Sequence, residues 1–312
     1  MQNTLNNAVP NKNSVQPRKQ LSRNKKRIIF YTLLMIFPLL HYFVFFIVVN
    51  FSMFTMAFET YSWQEGQIGF TRSFAYFDNF KVIFEFFRSG NNFEIFTNSF
   101  TFYGVSWLIM PLSLFFSYYL YKEGLFSKVF RVVLFLPQIL SVVVTAILFK
   151  YMVGYVFETD LSYGWVLFYN YWVGFGVQII MYTSAMCGIN SSISESAQLD
   201  GASAFREFIS ITFPMIFSTF ATFIITGIAG IFTTQMQLHT LFASDAPFQT
   251  MGYFLYIQSL NSNLVVASDF TSVYAQLSWP QLCAISLFLT AIVLPTTLIV
   301  RRLLNKYGPG PD

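Results

Sequence analysis

The chain alternates long apolar runs with shorter polar segments. A helix needs about 20 consecutive apolar residues to cross the hydrocarbon core of a bilayer. Six stretches reach that length, namely residues 28–49, 96–119, 129–150, 165–188, 215–235 and 281–300. The pattern predicts an all-α membrane protein with six transmembrane helices.

Composition supports the same class. The sequence is 55% hydrophobic and only 10% charged, whereas a typical soluble domain carries about 25% charged residues. So few charges could not cover the surface of a 312-residue globule in water. The formal net charge of +4 is also too small and too unevenly spread to indicate a nucleic-acid partner.

Lysine and arginine positions predict the topology. Cytoplasmic loops carry an excess of both residues. With the N-terminus inside, all but four of the 18 fall on the cytoplasmic side, the exceptions being Arg72, Lys81, Arg88 and Lys150. We therefore expect both termini in the cytoplasm, a basic and disordered leader over residues 1–27, and a membrane domain over residues 28–308. The first apolar run is too long for a cleaved signal peptide.

Two outer loops are rich in aromatic residues. They span residues 59–94 and 238–280. Because aromatic side chains favour the boundary between lipid and water, we expect short amphipathic helices along the membrane there. Contact with an external partner is the alternative.

The polar loop over residues 190–214 separates the fourth and fifth predicted spans. Ser192 followed by Glu195 forms a capping-box pattern, and Asp200-Gly201 is a turn signal. We expect a short helix from near Ile193 to near Gly201, then a second helical stretch toward Pro214. The small side chains in this loop would allow another surface to approach closely.

This loop resembles the cytoplasmic signature of ABC-importer permeases, the binding-protein-dependent transport inner-membrane components. That signature is Glu-Ala-Ala, three residues, Gly, nine residues, Ile, one residue and Leu-Pro. The matching positions here are Glu195, Ala197, Gly201, Ile211 and Pro214, while Ser196 and Phe213 depart from it. The run Asp200-Gly201-Ala202-Ser203 resembles the version in the carbohydrate (maltose-type) family.

The resemblance implies a coupling helix that docks on a cytoplasmic ATPase. Glu195 would anchor the contact, Gly201 would permit the turn, and Ala197 and Ala202 would face the ATPase. The other implied coupling residues are Asp200, Phe205, Ile211 and Pro214.

The resemblance also implies the partners. They are a second homologous permease forming a heterodimer, two ABC ATPase subunits that carry ATP and Mg, an extracellular solute-binding protein and a sugar substrate, at a bacterial plasma membrane. The sequence lacks a Gly-rich loop ending in Gly-Lys-Ser/Thr. We therefore expect a subunit that is not itself an enzyme and binds no cofactor.

Polar residues within the spans suggest a substrate pathway. Sugars need amide and hydroxyl partners together with aromatic faces. Candidates in the fourth and fifth spans are Asn170, Tyr171, Gly174, Gln178, Phe232, Thr233 and Gln235. Asn170, Gly174 and Gln178 are four residues apart and share one helical face. Hydrogen bonding between helices is an equally open interpretation.

Two rival functions remain. The same architecture could import phosphate, polyamines or another non-sugar solute. A secondary carrier or channel would work without an ATPase, but buried ionisable groups are usual in ion-coupled carriers, and the deep parts of the predicted spans carry no full charge. His41 stands alone in the first span, and Cys187 and Cys283 lack metal-ligand spacing.

Overall fold

A computed structural model describes residues 23–63, 70–88, 90–262 and 277–309. The chain divides into two compact units, residues 1–53 and 54–312. Most of the predicted leader, residues 1–22, lies outside the described residues, as does the 263–276 part of the second outer loop.

The described part of the first unit is one long apolar helix. Helix α1, Arg23–Tyr42, continues through a π-helical turn at Phe43–Val48 into α2, Val49–Met56. Every described side chain from residue 25 to residue 53 is exposed. A helix that is apolar on all sides is suited to lipid, which agrees with the first predicted span.

The second unit is mainly helical, as predicted, with one small sheet. A π-helical turn, Phe208–Thr212, joins two of its helices. Its elements are β1 Glu59–Trp63, β2 Phe70–Phe74, α3 Asp78–Arg88, α4 Gly90–Tyr121, α5 Ser127–Ile139, α6 Val142–Val156, α7 Tyr163–Cys187, α8 Ser191–Leu199, α9 Ala204–Glu207, α10 Phe213–Gly230, α11 Leu238–Phe242, α12 Met251–Asn261 and α13 Trp279–Tyr307.

Within the described residues, four helices are long and apolar enough to cross a membrane. They are Lys25–Met56, Asn92–Tyr121, Ala204–Gly230 and Trp279–Tyr307. Two further pairs qualify only if each bent pair forms one span. These are α5 with α6, bent by 107°, and α7 with α8, bent by 78°. By length and composition, the described chain therefore holds four to six candidate spans.

The continuous helix predicted over residues 129–150 is in fact two helices. Leu140 and Ser141 adopt extended backbone between α5 and α6, with ψ of 151° and 135°. Neither residue is a strong helix breaker, and Pro137 lies one turn earlier inside α5. The sequence therefore gave no clear signal for the position of the break.

The first outer loop contains a hairpin that was not predicted. Strands β1 and β2 pair antiparallel, from Glu59 opposite Phe74 to Trp63 opposite Phe70. Asn79 of α3 donates hydrogen bonds to the carbonyls of Ala57 (2.9 Å) and Glu59 (2.8 Å). The helical expectation for this loop is correct only for α3. We call this end of the unit the hairpin end and the opposite end the α8 end.

Helix α4 contributes to the three larger of the four apolar clusters in the described residues, and the small fourth one joins Ala57 to Cys283 and Ala284. Ile95 joins the cluster with α3, α12 and α13, and Phe102 joins the cluster with α6, α7 and α11. At the α8 end, Leu114 joins a cluster with Tyr182 and Ile216. Helix α4 packs most extensively on α7, so these two helices form the centre of the unit.

Close packing of α5 on α7 generates a test of this fold. A Cβ atom at Gly176 would lie 2.5 Å from the Leu134 carbonyl oxygen, whereas one at Gly174 would meet nothing within 4 Å. Gly176→Ala should destabilise the protein by about 1–3 kcal/mol because the helix backbones must separate. Gly174→Ala, on the same helix, is the matched control. Thermal denaturation in detergent measures both, and equal stabilities would contradict the α5–α7 packing.

Candidate functional site

Helix α8 lies on a sharp elbow after α7. The chain turns by 78° between the two helices. Asn190 is the N-cap, and its side-chain oxygen accepts a hydrogen bond from the Ser192 N–H at 3.2 Å. The predicted cap at Ser192 was therefore wrong, and the helix begins at Ser191, two residues before the expected Ile193.

Gly201 forms the turn that ends α8. Its φ is +76°, a left-handed conformation that glycine adopts without the steric cost of a Cβ. The following Ala202 N–H donates to the Ala197 carbonyl at 3.0 Å and closes the turn. The break predicted near Gly201 is confirmed.

A second helical stretch follows this turn, as predicted. Ser203 caps α9 by accepting a hydrogen bond from the Arg206 N–H at 3.3 Å. The helix then continues through the π-helical turn into α10, so Ile211 and Pro214 lie within one helical run from Ala204 to Gly230. The wider π-helical turn directly precedes Pro214, which has no N–H to donate.

The outward face of this loop differs in part from expectation. Ala197 is only 8% exposed, although it lines the concave surface beside α8. Glu195 is exposed, as are Leu199 (90%) and Phe205 (63%). Sequence reasoning missed Leu199, whose apolar side chain stands almost free at the end of α8.

A shallow concave surface lies beside α8. Its volume is about 330 Å³, and its lining includes Ile193, Ala197, Asp200, Ala202, Arg206 and Ile211. Four of the predicted coupling residues therefore meet there, namely Ala197, Asp200, Ala202 and Ile211. The surface is part apolar and part charged, which suits contact with another protein.

A partly buried ionic cluster connects this loop to α4. Lys122, directly after α4, places Nζ 2.6 Å from Oε1 of Glu207 and 2.7 Å from Oγ of Ser194. The Ser194 hydroxyl donates to the same Glu207 oxygen at 2.6 Å. The Glu207 side chain is 3% exposed, so nearly all of its polar contacts are within the chain. We call Lys122, Ser194 and Glu207 the ionic joint.

The neighbouring tyrosines complete this cluster. Lys122 Nζ lies 5.7 Å and 5.5 Å from the ring centroids of Tyr118 and Tyr121, within the range of cation–π attraction. The Tyr118 hydroxyl donates to the Ala204 carbonyl at 3.1 Å. Sequence reasoning missed the joint because Lys122 and Glu207 are 85 positions apart. In the sequence, the one feature that pointed to them is that each is a charged residue beside an apolar run.

The polar residues predicted in α7 are bonded to neighbouring segments. Asn170 donates to the Met236 carbonyl at 2.9 Å, and Gln178 accepts from the Ser113 hydroxyl at 2.7 Å. The Tyr171 hydroxyl donates to the Phe102 carbonyl. These contacts match the alternative of hydrogen bonding between helices. Gly174 has open space where a side chain would be.

The other pathway candidates lie at the end of α10. The helix ends at Gly230, so Phe232, Thr233 and Gln235 follow it rather than continuing the predicted span to residue 235. Phe232 is buried and stacks on Phe96 with 4.9 Å between ring centroids. Phe232 and Thr233 line a groove of about 350 Å³ beside α12 and α13. Gln235 is half-buried and lies outside the lining of this groove.

Comparison with known proteins gives matches for both sequence and fold. Residues 109–310 match the family described as "Binding-protein-dependent transport system inner membrane component". The arabinooligosaccharides transport system permease protein AraP of Bacillus subtilis (strain 168) is 23% identical over 162 residues. That match covers 44% of this chain and 51% of the relative, so it spans about half of the relative's length.

Two solved structures share the fold. One is a bacterial ABC transporter involved in the import of the acidic polysaccharide alginate, with a TM-score of 0.62 and 20% identity over 92% of this chain and all of that chain. The other is the bacterial alginate ABC transporter in complex with an alginate pentasaccharide-bound periplasmic protein. It has the same TM-score and identity and covers 92% of this chain and 98% of its own.

Proposed function

We propose that this chain, which belongs to the family of binding-protein-dependent transport system inner membrane components, is the permease subunit of an ATP-driven importer of a sugar or oligosaccharide. The observation that carries the proposal is α8, a short helix on a 78° elbow with Glu195 and Leu199 exposed. Such a helix offers a partner an accessible and rigidly held contact.

In this proposal the chain crosses the plasma membrane six times. The bent pair of α5 and α6 counts as one span and the 25-residue α7 as another, while α8 lies in the cytoplasm. Pro214 and Arg301 line one surface, which supports placing the basic end of α13 beside the coupling loop. Cytoplasmic placement of these basic residues follows the positive-inside tendency. Residues 1–27 would be the cytoplasmic leader, and residues 28–308 the permease domain.

The proposed partners contact opposite ends. At the α8 end, two ATPase subunits that carry ATP and Mg would serve this chain and a second, homologous permease. Glu195, Gly201 and Phe205 would form the contact, while Asp200, Ala202, Ile211 and Pro214 would shape the surface beside it. Ala197, which is buried, would hold α8 against the rest of the chain. An extracellular solute-binding protein would dock at the hairpin end, and this chain would bind no cofactor and hydrolyse nothing.

The proposed cargo is an oligosaccharide. AraP is a transport protein for arabinooligosaccharides, and the structural neighbour imports alginate. The pathway would use the amides of Asn170 and Gln178 with Tyr171, the open space at Gly174, and Phe232, Thr233 and Gln235 at its outer end. In the conformation described, Asn170 and Gln178 hold neighbouring segments. They would exchange those bonds for sugar hydroxyls when the helices move.

Reconstitution of the complex tests the function directly. The chain would be expressed with its neighbouring genes and purified in mild detergent, and ATP hydrolysis would be measured with arabinooligosaccharides, alginate pentasaccharide, phosphate and spermidine. We expect an ATPase pair and a second permease to co-purify, and one of the two oligosaccharides to stimulate hydrolysis through the binding protein. Stimulation only by phosphate or spermidine would show that the importer carries a non-sugar solute. Uptake without any ATPase would favour a secondary carrier.

Charge reversal on α8 tests the coupling contact. Glu195→Lys should lower transport by about tenfold or more because a reversed charge disfavours the ATPase contact. Binding-protein affinity should not change, because that protein docks at the other end. Glu123→Lys is the matched control, since Glu123 is an exposed glutamate near the α8 end but outside α8. Transport that survives Glu195→Lys would contradict the anchor assignment.

Amide deletion in α7 tests the pathway. Asn170→Ala and Gln178→Ala should raise the KM for transported sugar by about tenfold, as expected when a bound hydroxyl loses its partner. Asn98→Ala removes a comparable amide bond to the Gln249 carbonyl, 3.0 Å long, outside the proposed pathway. If all three variants change transport alike, the α7 amides only hold the helices together.

A further inference from the structure

We infer that the ionic joint of Lys122, Ser194 and Glu207 transmits the movement of α8 to α4 and so couples ATP hydrolysis to transport. This inference rests on the proposed function. It assigns positioning roles to three residues that do not touch the ATPase or the sugar.

Ser194 gives α8 a direct side-chain connection to the body of the unit. Its hydroxyl bonds both Lys122 and Glu207 outside that helix, at 2.7 Å and 2.6 Å. Gln198, one turn later, supports the same site, because its amide bonds Glu207 and donates to the Ser194 hydroxyl at 3.4 Å. Ser196 bonds locally, to the Ser192 carbonyl at 2.8 Å. Removing the Ser194 hydroxyl would therefore loosen the connection between α8 and α4 at its centre.

The joint is stiff because it is short and largely withdrawn from water. Its three contacts are 2.6 to 2.7 Å long. The Glu207 side chain is 3% exposed and that of Lys122 is 29% exposed. Water therefore screens the Glu207 carboxylate little, and leaving that carboxylate unpaired is strongly disfavoured. The three groups therefore move together.

Helix α4, on the other side of the joint, can carry a displacement through the unit. Lys122 directly follows α4, which belongs to the three larger apolar clusters and packs along α7. Well-packed interiors transmit displacement because they have few voids. A push on α8 would thus reach the hairpin end through α4.

Without the joint, α8 remains connected only through chain segments and apolar packing. One of those segments contains Gly201, with its left-handed backbone. The ATPase could then dock and hydrolyse ATP while α8 moves partly independently of α4. The expected signature is ATP hydrolysis with little transport, which simple misfolding does not produce.

The test compares sugar transported per ATP hydrolysed in proteoliposomes. They would contain the complete complex and the binding protein loaded with arabinooligosaccharide or alginate pentasaccharide, whichever stimulates the wild type. Ser194→Ala should lower the ratio by about tenfold, the scale of one hydrogen bond to a charged group, with ATP hydrolysis retained. Lys122→Met and Glu207→Gln should lower it at least as far, and Lys122→Arg, which keeps the charge, should restore most of it.

Two matched controls separate the joint from general effects. Ser196→Ala deletes a hydroxyl from the same helix, and Lys81→Met breaks an exposed pair with Asp78 whose N–O distance is 2.7 Å. Both should keep the wild-type ratio, because exposed ion pairs contribute little. An unchanged ratio in an assembled Ser194→Ala complex overturns the inference.

Assembly is scored by co-purification of all subunits. If the single charge variants fail to assemble, Ser194→Ala decides, because it leaves the Lys122–Glu207 ion pair in place. If Ser194→Ala also fails to assemble while Ser196→Ala succeeds, Ser194 is needed for folding or assembly rather than for coupling. That result overturns the inference. A wild-type complex without an ATPase, or without stimulation by either sugar, refutes the proposed function instead.

Discussion

The packing of α4 along α7 is the contact on which the rest of the second unit depends. The three larger apolar clusters all include residues of α4, and polar groups along this contact pair with one another, as Ser113 does with Gln178. In a hydrocarbon environment, an unpaired polar group is costly. Those bonds therefore limit sliding of α4 along α7, and the other helices pack around this fixed pair.

The polar contacts differ between the two ends of the α4–α7 pair. At the hairpin end, side-chain amides hold irregular backbone in place, as Asn98 does for Gln249 and Asn170 for Met236. Such backbone is tolerated near a membrane only where protein satisfies its polar groups. At the α8 end, a buried ion pair takes the place of amides. The backbone at the hairpin end is thus held by neutral amides, and the loop at the α8 end is held by charge.

Much of this organisation could be predicted from the sequence, and the exceptions have physical causes. Helices are set by local apolar runs, so the long ones were found, and the Gly201 turn followed from the backbone freedom of glycine. The 107° break at Leu140 and Ser141 was not found, because two ordinary residues adopt extended backbone there. The inward position of Ala197 and the Lys122–Glu207 pair depend on contacts between distant segments, which one sequence does not reveal.

The same break would matter for the lipid around the protein in the proposed six-span arrangement. Helix α5 has 13 residues, a length of about 20 Å at 1.5 Å per residue, while the hydrocarbon core is about 30 Å thick. Because α6 leaves at 107°, the apolar surface of α5 alone is shorter than that core. Lipid beside α5 would then have to thin or tilt to match it, at an energetic cost that grows with each ångström of mismatch. In that arrangement, the thickness of the bilayer would act on the elbow between α5 and α6.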